Sequence, residues 1–218
     1  MAVKQIAVLG LGRMGSSLAE TFSDRGGHVI AIDIDQKNVD EIADKVAYAI
    51  RADITDVETA KRLGISNVDA AVVAMSENFE ASIVAIIVCK ELGIPYVIAK
   101  AKNALQGDIL KKVGADKIIY PEIEMGSRLA MSLLYGNFVD AVSLSEEISI
   151  LEAIVPKRWV GKTLLELNIR KKYGFNVIAI KQNGKIDIDV KADVPLKADQ
   201  EIVVLGKEIN LNKVFKKQ

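Results

Sequence analysis

A chain of 218 residues with 29 basic and 29 acidic side chains has no net charge, so it lacks the basic field that binds nucleic acid by releasing counterions. Its longest apolar stretch, residues 83–89, falls far short of the ~20 residues that span a bilayer, and Lys4 leads straight into a glycine motif with no signal core, so a soluble protein in a reducing cytoplasm is expected. One cysteine (Cys89, in an apolar helical run) and one histidine (His28, at a strand entry) leave little for disulfides, zinc ligation or histidine catalysis.

In chain order, short β-branched runs alternate with longer amphipathic stretches as far as residue 121. This is the pattern of a parallel sheet covered by helices on both faces. Strands are expected at 5–9, 28–33, 46–51, 68–74, 96–99 and 117–120, with helices following Arg13, Gln36, Asp56, Glu77, Asn103 and Glu122. The runs IAVLG and AAVVAM are continuous enough for strands buried on both faces. Thr55 is expected to cap the third helix, with Glu58 three residues on completing a capping box. The stretch 122–135 places Met125, Leu129 and Leu133 above one another, a stripe that either packs on its own sheet or faces another subunit.

The polar break at Gly136-Asn137 and the change of pattern after it set a domain boundary near Asp140, dividing the chain into 1–139 and 140–218. The second segment reads as a strand 148–155, a short helix 163–172, a hairpin 176–181/185–190 and a strand 201–205. Asn183-Gly184 between alternating strands signals a type I′ turn. The fold class is therefore α/β, a doubly wound, Rossmann-like parallel sheet with a second, smaller α+β domain.

Gly10, Gly12 and Gly15 form G-x-G-x-x-G between a strand and a helix, where glycine permits the tight turn and lets phosphate approach backbone N–H groups. Asp33 closes the next strand at the spacing of a ribose-binding carboxylate, with Asp35 placed to share the task; acidic groups there disfavour a 2′-phosphate and hence NADP. Arg13 and Met14 fill the turn, and the Arg13 guanidinium beside the phosphates favours ATP or ADP over a dinucleotide. Asp53 ends the third strand at the adenine edge. Ala74 ends the fourth, with Asn78 following over the phosphate crevice, and Lys100 and Glu122 stand on the same carboxyl edge. No catalytic histidine, no serine–lysine–tyrosine set and no substrate domain follow, so an enzyme is not expected. A soluble NAD-dependent oxidoreductase is the principal rival, and a redox-sensing DNA-binding repressor would need a basic recognition helix that is missing.

The blocks GLGRMG, IDID, RADITD, VVAMSEN, AKAKN and VGADKIIYPEIEMG follow in order from Gly10 to Gly126. They resemble the RCK nucleotide-binding domain of Ktr/Trk potassium-uptake regulatory subunits. The segments beginning LEAIVPKRW and ending PLKADQEIVVLG are similar to that family's C-terminal small-ligand domain. Met14 stands where phenylalanine is more usual. The resemblance implies a cytoplasmic gating-ring subunit, RCK dimers assembled into an octamer beneath a membrane-embedded potassium-translocating subunit. It implies control by ATP/ADP in the Ktr type, or by NAD/NADH in some Trk-type members. Carried over by position, Gly10, Gly12 and Gly15 hold phosphates, Asp33 and Asp35 the ribose, Asp53 the adenine side, and Arg13 and Lys100 the terminal phosphates. Glu122 approaches a neighbouring subunit's nucleotide and helps to hold a divalent cation. In the second domain Ile169, Arg170, Asn176 and Pro195 match positions that bind cyclic di-AMP across a dimer interface.

Overall fold

Six strands hydrogen-bond side by side, all parallel, in the order β3-β2-β1-β4-β5-β6. They belong to a computed structural model that describes residues 3–75, 77–135, 138–145 and 147–215. In chain order the elements are β1 (Gln5–Leu9), α1 (Arg13–Asp24), β2 (His28–Asp33), α2 (Gln36–Ile42), β3 (Tyr48–Arg51) and α3 (Val57–Arg62). Then come β4 (Ala70–Val73), α4 (Phe79–Glu91), β5 (Val97–Lys100), α5 (Ala104–Val113), β6 (Lys117–Ile119) and α6 (Pro121–Tyr135). Alternate residues of one strand enter different cores: Ala7 and Leu9 join Ile32, Ile86 and Leu110, whereas Ile6 and Val8 join Ala19, Val29 and Val39. Both faces of the sheet are thus covered, as its apolar runs required.

The strand order turns at β1, which lies between β2 and β4. Ligands of open α/β sheets bind at such a switch point, beyond the strands' carboxyl ends. Cys89 is buried in α4, where burial pushes its thiol up to about 12, so it is packing material rather than a nucleophile. The cap of α3 differs from the expectation by one residue. Asp56, not Thr55, accepts from the Glu58 amide, and the Thr55 hydroxyl instead donates to Asp53 at 2.6 Å. On α6, Met125, Leu129 and Leu133 are all exposed.

By internal contacts the chain divides into Met1–Ile123 and Glu124–Gln218. The second unit is a five-stranded antiparallel sheet of order β10-β9-β11-β8-β7. Its elements are β7 (Phe138–Ser143), β8 (Ile148–Ile154), α7 (Leu164–Leu167), α8 (Ile169–Tyr173), β9 (Phe175–Gln182), β10 (Lys185–Asp187), β11 (Glu201–Lys207) and α9 (Glu208–Phe215). The single helix expected over 163–172 is two helices, because Asn168 adopts a left-handed φ of 44° that ends one and starts the next. Asn183 and Gly184 have φ of 51° and 77°, the pair of positive values a type I′ turn demands. Trp159 anchors the core, its ring 5.5 Å from Tyr173 and 6.0 Å, edge-on, from Phe215. On the sheet, Lys181 of β9 bridges Glu201 of the neighbouring β11 and Glu152 of β8 beyond it.

Candidate functional site: a cleft at the switch point

The turn from β1 to α1 is built by backbone hydrogen bonds that only small residues allow. The Gly10 amide donates to Ile32 O at 2.8 Å, and Gly10 has φ +96° with Met75 packed where a side chain would stand. A β-carbon on Gly15 would lie 2.0 Å from Gly10 O. Gly12 is different. It occupies the N-cap of α1, and a β-carbon there meets nothing within 4 Å. No acidic side chain occupies the first turn of α1 and no side chain caps it, so its amides and the positive end of its dipole face open space.

That space is a cleft of about 760 Å³. Gly10, Gly12, Arg13, Met14, Asp33, Asp53, Ala74, Asn78, Lys100 and Glu122 all line it, together with Asn38, Thr55 and Glu77. Gly15 and Asp35 do not. Gly15 lets α1 approach the Gly10 turn. Asp35 caps α2, accepting from the Lys37 amide at 3.0 Å.

Asp33 holds the site together from both carboxylate oxygens, accepting from the Leu11 amide at 2.5 Å and the Asp35 amide at 2.8 Å. It therefore fixes the glycine turn against β2 and still offers lone pairs to a ligand hydroxyl. Asp53 is held by the amide and hydroxyl of Thr55 on one oxygen. Asn78 caps α4 through the Ala81 amide at 3.0 Å. Arg13 has neither a hydrogen bond nor an ion pair among the described residues, which leaves its guanidinium available to an anion. Lys100 and Glu122 meet at 2.6 Å, and the hydrogen bond from Lys100 holds the Glu122 carboxyl below its usual range. A second pair, Lys102 and Glu77 at 3.3 Å, stands nearby.

Among the described residues no group of three or more histidine, cysteine, aspartate or glutamate side chains is placed to hold a metal. Glu122, the residue that the resemblance places at a divalent cation, lines the cleft paired with Lys100. In the second unit Arg170, Asn176 and Pro195 are exposed, with Pro195 bridged to Thr163. Ile169 is buried in that unit's core.

Asn38 and Thr55 escaped sequence reasoning. The signal for Asn38 is the cap at Asp35, which starts α2 early enough to bring residue 38 round onto the cleft. Neither the glycine motif nor the acidic pair carries that information.

The arrangement offers helix amides and the Arg13 guanidinium to phosphates, and carboxylates to a ribose. Comparison with known proteins agrees in kind. Residues 6–121 match the TrkA-N domain family and residues 150–218 the TrkA-C domain family. The Ktr system potassium uptake protein C of Bacillus subtilis (strain 168) is 37% identical over 214 residues, 98% of this chain and 97% of that protein. The Ktr system potassium uptake protein A of Vibrio alginolyticus is 35% identical over 208 residues, 95% of this chain and 94% of that protein. Among solved structures the GsuK channel superposes with a TM-score of 0.71 over 99% of this chain and 40% of its own, at 16% identity, a likeness of fold. With both domains matched in order and full-length relatives on either side, the chain belongs to the Ktr/Trk family of potassium-uptake regulatory subunits.

Proposed function

We propose that the chain is an adenine-nucleotide sensor that controls a membrane-embedded potassium-translocating subunit, with ATP and ADP as the opposing ligands. The observation that supports it most is the pairing of an open Gly12 cradle with an Arg13 that has no partner among the described residues. Two phosphates are partly neutralised by a helix N-terminus, and a third leaves extra oxygens for a guanidinium to grip bidentately. Regulation then follows from difference. ATP and ADP shift an equilibrium between assembly states only through contacts that differ between them, and Arg13 is positioned to make such a contact. The exposed Met125, Leu129 and Leu133 ridge on α6 is the surface by which copies would pair, in dimers that build an octameric ring at the cytoplasmic face of the membrane. No helix among the described residues is long and apolar enough to cross a membrane.

The experiment is calorimetric titration of nucleotide-stripped protein with ATP, ADP, NAD and NADH. Tight ATP and ADP binding with weak NAD supports the proposal, and Arg13→Ala should abolish the preference between ATP and ADP. Asp33 at the ribose position also suits NAD, and a GsuK channel with the same fold is bound to NAD. A preference for NAD or NADH would replace this reading with a dinucleotide-controlled regulator, and turnover of a nicotinamide cofactor would restore the oxidoreductase.

We further propose cyclic di-AMP as ligand of the second unit, with Arg170 for phosphate and Asn176 and Pro195 beside it. Ile169, being buried, would act through packing. Saturable binding weakened by Arg170→Ala supports this, and no binding at high micromolar ligand refutes it.

A further inference from the structure

Asp33 ends β2 and Asp35 stands two residues on, yet of the two only Asp33 lines the cleft. Asp35 is exposed and caps α2 through the Lys37 amide. That cap starts α2 at Gln36, so Asn38 falls in the first helical turn and returns to the cleft wall with Asp33 and Ile34. Asn38 is half-buried, and its carboxamide makes no hydrogen bond among the described residues.

We propose that Asn38, not Asp35, is the second ribose-reading side chain of the cleft, working beside Asp33; this rests on the nucleotide reading above. The chemistry of the pair is complementary. Asp33 only accepts, and already accepts from Leu11 and Asp35 amides, so it takes the proton of one ribose hydroxyl. A hydroxyl also carries lone pairs, and its neighbour carries a second proton. A carboxamide both donates and accepts, and satisfies either need where a second carboxylate satisfies one. Because Asn38 is uncharged, it binds the ribose edge without a second charge to desolvate when the ligand covers the wall. Asn38 stands beside Asp33 and Ile34 on the cleft wall, and a ribose contact there reads what ATP and ADP share rather than the phosphate by which they differ.

The test is calorimetric titration of the full chain with ATP, ADP, 2′-deoxy-ATP and 3′-deoxy-ATP, for wild type, Asn38→Ala, Asn38→Asp and Asp35→Ser. The last keeps a capping oxygen at the start of α2. Asn38→Ala is expected to weaken ATP and ADP equally, by about five- to thirtyfold, the loss of one hydrogen bond with its partner stranded. It should also shrink the wild-type preference for ATP over one of the deoxynucleotides, while Asp35→Ser stays within about twofold of wild type. Asn38→Asp, which keeps the shape and loses the donor, should fall on the side of Asn38→Ala. An Asn38→Ala protein with wild-type affinity and an unchanged deoxynucleotide ratio overturns the inference, as does a large loss in Asp35→Ser. Wild-type protein that binds no adenine nucleotide overturns the broader nucleotide reading, and a different set of variants would then be needed to explain the cleft.

Discussion

Lys100 and Glu122 lie 2.6 Å apart on the cleft wall, the lysine side chain only 10% exposed and the glutamate 68%. The pair is asymmetric. Glu122 loses little by letting go, since water replaces its partner, whereas Lys100 is an ammonium in a nearly closed position that needs an anion beside it. A ligand phosphate and the Glu122 carboxylate therefore compete for one cation. Glu122→Gln is expected to tighten ADP binding several-fold in magnesium-free, low-salt buffer, read by titration calorimetry. Weaker binding in the variant would show that Glu122 contributes to holding the nucleotide.

Two glycines of the turn, Gly12 and Gly15, should separate by role. Gly12→Ala places its methyl in the open cradle, so the protein should fold with nearly unchanged melting temperature and bind adenine nucleotides at least about tenfold more weakly. Gly15→Ala drives a methyl against Gly10 O and should cost about 3 kcal/mol or more of stability. Thermal melts with and without nucleotide distinguish the two, and equal destabilisation would contradict the open cradle.

Asp116 ties α4 to β5, accepting from Lys90 and from the Val97 amide, both at 2.6 Å. Burial pushes its carboxyl up, but the hydrogen bonds from Lys90 and Val97 outweigh this and hold it below the usual value. A lowered folded value stabilises above the unfolded one, about 3.9, and the benefit is lost as pH falls through the folded value. Asp116→Asn should cost about 1–2 kcal/mol at pH 7, a figure reduced for the pair's partial exposure. The gap from wild type should narrow as pH falls below about 3.9 and vanish once the carboxyl is protonated in the folded protein as well, which denaturant melts across pH would show.

Lys181 keeps Glu152 and Glu201 from facing each other unpaired on adjacent strands. Its hydrogen bond, followed by that of Glu152, holds the Glu201 carboxyl below its usual range, so the cluster stabilises above about pH 4.3 and weakens as pH falls. Lys181→Met should lower the melting temperature at pH 7, and the deficit should narrow toward pH 4 as the stranded carboxylates take up protons. A deficit constant over that range would argue against repulsion as its cause.

Much of this molecule can be read from residue patterns, and the failures share a cause. The six parallel strands were visible because each is a short, continuous apolar run between helix caps, and Gly10, Gly12, Arg13 and Asp33 were visible because the glycine spacing fixes them relative to a strand and a helix. By contrast β7 starts just beyond the polar Gly136-Asn137 and is defined by its pairing with β8, a non-local contact that no local signal announces. Helix α9, EINLNKVF, is short and weakly periodic; it buries Leu211, Val214 and Phe215 against the second core, so packing rather than propensity forms it. Thr55 and Asp56 are both capable caps, and the choice turned on the Asp53 carboxylate taking the threonine hydroxyl. Asn38 was passed over although α2 begins at Gln36 as expected, because its place on the cleft wall comes from how that helix sits on the sheet, which the glycine motif and the acidic pair do not encode.

The chain has a single tryptophan, and Trp159 sits 1% exposed amid Tyr173, Phe175 and Phe215. Indole emission from this protein is therefore a private signal of the antiparallel unit, blue while its aromatic cluster is dry and red once water enters. Followed alongside circular dichroism, which is dominated by the more numerous helical residues around the parallel sheet, it shows whether the antiparallel unit loosens at the same denaturant concentration as the rest of the chain.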